Sequence, residues 1–199
     1  MRNILIVYVE VVYAVLQHPS ELPVYLRKIP GLRMHIGVSL FLASLSSALG
    51  VYTLRDFYRE TFYLSIMFMS LIHYLMFLLW GLLFGSMVDA LVRLRKPDRA
   101  GQTWQMISIA LLSCMPFFFM LPLAVPAKTF LREPLWLFLP LAIGLYVWSM
   151  IIALKGLQYL YEFSIRDALR VFMSAAGIVL VFPAVFGMFF MLEIYQLLS

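Results

Sequence analysis

Charge is what the interior of this chain lacks. Five stretches, residues 34–54, 62–88, 104–127, 135–154 and 171–192, contain no Asp, Glu, Lys or Arg. Each has at least 20 residues, and a helix of that length rises about 30 Å, the thickness of a bilayer's hydrocarbon core. This excludes a soluble helical domain, whose helices would carry a charged outer stripe. Cysteine is nearly missing as well: Cys114 stands alone, so no internal disulfide can form. The signatures of common chemistries are also absent. There is no His-Glu-x-x-His, no Gly-x-Ser-x-Gly elbow, no phosphate loop, no Cys-x-x-Cys and no pair of intramembrane aspartates. No catalytic residue, cofactor site or metal site is therefore expected, and no enzymatic activity.

What remains is apolar: 64% of the 199 residues are hydrophobic, with a mean hydropathy of +0.95. The expected fold is all-α, a polytopic bundle of five transmembrane helices formed by residues 34–199. Residues 1–33 form an N-terminal segment. Within it, residues 4–16 are apolar but interrupted by Glu10, too short to cross, and not followed by a small-x-small cleavage site. The expectation is a helix lying on or dipping into the interface, with packing against the bundle as the alternative.

Lys and Arg then set the orientation. Arg2, Arg27, Lys28, Arg33, Arg93, Arg95, Lys96, Arg99, Lys155, Arg166 and Arg170 fall on one side, against Arg55, Arg59, Lys128 and Arg132 on the other. Eleven against four predicts a cytoplasmic N-terminus and an outside C-terminus. The sequence pI near 9.4 is then a matter of headgroups, and no nucleic-acid partner is expected.

Helices in lipid associate through small residues. Ser39, Ala43 and Ser47, with Ser46 and Gly50 beside them, make such a stripe on the first span, and Gly81 and Gly85 make one on the second. His73, Phe77, Gly81, Gly85 and Asp89 recur every four residues and so share one face. Prolines are the second theme. Pro116, Pro122, Pro140 and Pro183 each remove a helix hydrogen bond. Together with His73 and Trp148 they are the residues expected around a cavity, if one exists among spans three to five. Arg93, Arg95, Lys96 and Arg99 are the candidates for holding anionic lipid headgroups.

Trp148, Gly156, Ser164 and Ala168, late in the fourth span and at the opening of the fifth, resemble the pattern of the Yip1 family of five-span membrane proteins. The His18-Pro19-Ser-Glu-Leu-Pro stretch is similar to that family's N-terminal proline segment. The resemblance implies a scaffold that recruits partners, GTPases and other membrane proteins among them. The Asp-Leu-Tyr-Gly-Pro motif of the eukaryotic relatives is missing, as is a long N-terminal region. Those departures argue against GTPase binding and for a prokaryotic-type member in the inner membrane. The leading expectation is a non-enzymatic scaffold or assembly factor that contacts another membrane protein, or itself, through its helices. The alternative is a protein that binds or translocates membrane lipids through an apolar cavity.

Overall fold

The computed structural model describes residues 4–28, 32–54, 62–130 and 135–198. Arg2, Arg55, Arg59 and Arg132 of the charge count lie outside them, as do the side chains beyond Val181, that of Pro183 included. Helices account for the regular structure: α1 (Ile4–Gln17), α2 (Leu22–Lys28), α3 (Leu32–Leu54), α4 (Phe62–Arg95), α5 (Thr103–Leu112), α6 (Met120–Phe130), α7 (Leu135–Leu160) and α8 (Ile165–Leu198). Short 3₁₀ turns occupy Pro97–Arg99 and Met115–Phe119. Among the described residues there is no strand, and four segments are long and apolar enough to cross a membrane: Met34–Leu54, Ile66–Arg95, Thr103–Phe130 and Trp136–Leu160. The chain is an all-helical membrane protein.

Two boundaries differ from the sequence expectation. The second span continues to Arg95, because Pro97 is the first residue that cannot extend the helix. The fourth runs to Leu160, so Lys155 and Gly156 are helical and the turn before α8 is confined to residues 161–164. Ser164 then caps α8 by accepting the Asp167 backbone N–H at 3.2 Å.

The third span is the largest departure. A continuous helix was expected over 104–127, but α5 stops at Leu112 and the chain passes through Met115–Phe119 as a 3₁₀ turn before α6 begins. Pro116 is the cause. It has no N–H, and its ring clashes with the carbonyl four residues back. Irregular backbone at membrane depth is tolerated where protein buries it. Residues 113–117 are all buried. Beyond the break, Ser46 of α3 serves the start of α6 from across the bundle: its hydroxyl donates at 2.7 Å to the Phe118 carbonyl, which Pro122 leaves without an N–H, and accepts the Leu121 N–H at 3.1 Å.

This broken span is the centre of the bundle. Its apolar window is 72% buried, against 11% for α4. The neighbours reach it through glycine. A Cβ on Gly50 would stand 2.9 Å from the Met120 carbonyl oxygen, and one on Gly85 would stand 2.6 Å from Ile107 Cα. Gly81 abuts Leu111, and Gly156 abuts Ile109. Ser39, Ala43 and Ser47 are buried on the same side of α3, and both serines donate back to carbonyls of their own helix. The small-residue stripes are thus spent within the chain. α8 packs on α4 and α7. The N-terminal segment also belongs to the bundle: Val11, Ala14, Val15 and Leu22 are fully buried, and α1 touches the 3₁₀ turn of the third span.

Three outcomes follow for thermal unfolding in detergent. Gly85→Ala lowers stability by about 1–3 kcal/mol, since backbone stands in the way of the new methyl. Gly144→Ala, with nothing within 4 Å of its Cβ position, leaves the melting temperature unchanged or slightly raised. Ser46→Ala leaves a half-buried N–H and carbonyl without this partner and costs about 1–3 kcal/mol.

Candidate functional site

A cavity of about 370 Å³ opens beside the break, walled by α4, the end of α5, the 3₁₀ turn, α7 and Leu180 of α8. Its surface is mostly apolar: Ile72, Met76, Phe77, Trp80, Phe117, Tyr146, Met150 and Ala153. Aromatic contacts shape one wall. Phe77 stacks on Phe117 with centroids 5.0 Å apart, and Phe117 meets Tyr146 edge-on at 4.8 Å. The polar groups are His73, Ser113, Cys114 and Ser149. His73 Nδ1 lies 2.8 Å from the Met69 carbonyl one turn earlier. A carbonyl only accepts, so Nδ1 carries a proton in this contact, and in the neutral ring Nε2 keeps its lone pair. The Ser113 hydroxyl donates to the Ala110 carbonyl at 2.7 Å, and the Cys114 thiol points to that same carbonyl at 3.8 Å.

Of the six residues expected around a cavity, His73 is in its wall. Pro116 is buried within the 3₁₀ turn whose Phe117 forms part of the wall. Trp148 is half-buried and stacks on Phe119 at 5.9 Å. Pro122 and Pro140 are exposed, and neither lines the space. The cavity therefore follows from the one proline that breaks a helix, and it lies against the second span instead of being confined to the third, fourth and fifth. Pro140, by contrast, is absorbed by a continuous α7.

A second cluster was not foreseen. Asp89, near the end of α4, is 2% exposed. Its carboxylate accepts the Gly101 and Gln102 backbone N–H groups, each at 3.1 Å, the Thr103 hydroxyl at 2.7 Å and the Tyr161 hydroxyl at 2.8 Å. Arg93 approaches it at 3.6 Å. One side chain thus caps α5 and ties it to the end of α7. Arg99 completes the tie by donating to the carbonyls of Tyr161 and Glu162, which steadies a turn where Glu162 takes a left-handed φ of 50°. The signal was present in the sequence: Asp89 continues the His73–Gly85 face, which is buried from Gly81 onward.

The basic connection is accordingly less available than its composition suggests. Lys96 lies 3.4 Å from Asp167 and over the Phe163 ring at 4.8 Å. Arg99 is committed to the turn and Arg93 shares Asp89, while Arg95 stays exposed. Hydrogen bonding from Ser164, then from Lys96, holds the Asp167 carboxyl below its ordinary range. Among the described residues no group of three His, Cys, Asp or Glu could hold a metal ion.

Burial, reinforced by the bond to Asp89, pushes the Tyr161 phenol well above its ordinary pKa. Above about pH 10 a free tyrosine ionises, whereas this one stays protonated in the native state. The unfolded chain then binds fewer protons, and stability falls as pH rises. Tyr161→Phe should flatten the loss measured between about pH 10 and 11 by up to about 1.4 kcal/mol per pH unit. The chain matches no protein-family model, no curated protein and no solved structure, and its geometry alone carries the functional reading.

Proposed function

We propose that this chain is a five-span protein, N-terminus in the cytoplasm, that holds an apolar, lipid-class molecule in the cavity beside His73 without catalysing a reaction on it. The cavity is the observation that carries the reading. Its volume of about 370 Å³ falls within the range of small-molecule sites, and an apolar wall with a few placed polar groups is how such sites are built. The excess of Lys and Arg on one side supports the orientation, and α8 is long enough for the fifth span. A bacterial inner membrane is the setting we propose.

The scaffold reading ranks second. Gly50, Gly81, Gly85 and Gly156 are occupied by the third span, which removes them as contacts for a partner. What favours a partner is a different pair: Gly144 and Gly177, exposed on α7 and α8 with open space where a side chain would sit, would let another helix approach closely. The likeness to the Yip1 family is kept as a proposal only. Its residues have packing roles here, since Trp148 stacks on Phe119, Gly156 admits Ile109, and Ala168 is buried.

Native mass spectrometry from nanodiscs tests the proposal. The wild-type monomer should retain a discrete lipid-class species. Ala153→Phe, which fills the cavity from a buried wall position, and Met76→Trp, which crowds it from an exposed one, should each lower its occupancy at least ten-fold. A stoichiometric protein partner, kept by both variants while no lipid is retained, would replace this reading with the scaffold.

A further inference from the structure

The polar inventory of the cavity narrows what it holds, on the reading that it holds a lipid-class molecule at all. Two of the inner polar groups have spent their hydrogens. His73 gives its Nδ1 proton to Met69, and Ser113 gives its hydroxyl proton to Ala110. What each still offers is a lone pair. Ser149, which is buried, has a hydroxyl that serves in either sense. Trp80 and Tyr146 bring their polar atoms from a half-buried and an exposed position. A ligand group that meets His73 Nε2 or the Ser113 oxygen must therefore donate. A buried acceptor facing another acceptor is left without a partner, and sites built this way reject the analogue that lacks the hydrogen.

Shape supplies the second constraint. The Phe77–Phe117–Tyr146 series runs edge and face along one side at 5.0 and 4.8 Å. A flat ring adds to such a series at the same spacing, which a flexible acyl chain cannot do. The remaining lining, with Ile72, Met76, Met150 and Leu180, accommodates an apolar tail.

We infer that the cavity takes the hydroxylated ring of a lipophilic quinol, with His73 Nε2 accepting one ring hydroxyl. The oxidised quinone has the same size and tail but presents only carbonyl acceptors, which His73 Nε2 cannot serve, so this contact favours the reduced form. No electron transfer is involved.

The test is titration of the intact protein in phosphatidylcholine nanodiscs, under anoxic conditions, with decylubiquinol and separately with decylubiquinone, read by native mass spectrometry. The wild type should bind the quinol about ten-fold more tightly. His73→Phe keeps a ring beside Phe77 and removes the acceptor. It should bring the quinol down to the quinone's affinity and leave the quinone's unchanged, with the melting temperature retained. His73→Gln, which restores an acceptor, should recover part of the difference. Equal affinity for the two forms in the wild type, or an unchanged preference in His73→Phe, would overturn the assignment. So would binding of neither form by a protein that still retains a native lipid displaced by Ala153→Phe, although the cavity reading would then survive. If no native lipid is held either, both readings fall together.

Discussion

Backbone hydrogen bonding in a solvent that offers none is the constraint on which this structure depends. Pro116 breaks the third span at membrane depth, and the freed N–H and carbonyl groups cannot turn to water. The fold answers by placing the break at the centre of the bundle. Ser46 from α3 serves one donor and one acceptor, and the surrounding helices close in through glycine. The close approaches at Gly50, Gly81, Gly85 and Gly156 all converge on this span. In a continuous helix the same glycines would serve packing alone. Here Gly50 also brings α3 against the Met120 backbone where the irregular segment ends, while the other three hold α4 and α7 against α5.

The break has a second effect. Replacing a helical turn with a 3₁₀ turn changes which side chains face outward, and Phe117 projects beside Phe77 and Tyr146. The volume left between α4 and α7 is the cavity. The element that is hardest to accommodate in lipid is thus also the one that makes room for a guest, a common relation between local irregularity and function in membrane proteins.

Much of this was legible in the sequence, and for identifiable reasons. Charge-free runs announce spans because a buried charge in hydrocarbon is expensive, and Pro97 and Ser164 mark helix ends through local chemistry that needs no tertiary partner. The small-residue stripes were read as packing faces, and that is where they lie. The rest depended on pairings far apart in sequence. Nothing near Pro116 distinguishes it from Pro140, yet one ends a helix and the other is absorbed, and the Ser46 contacts that serve the backbone beyond the break reach it from 72 and 75 residues away. Asp89 read as the edge of a span, because its partners at Gly101, Thr103 and Tyr161 meet it only in three dimensions.

That same carboxylate has a history during synthesis. Gly101, Gln102 and Thr103 follow Asp89 by only 12 to 14 residues, whereas Tyr161 follows by 72. At roughly 5–20 residues per second, the acid waits roughly 4 to 14 seconds for its last ligand. During that interval α4 and α5 can already be joined as a hairpin, with the carboxylate satisfied by the turn and by Arg93. Tyr161 emerges afterwards, at the close of α7, and fastens the fourth span to a pair assembled before it. The spacing of one aspartate and its partners sets the order in which its hydrogen bonds can close.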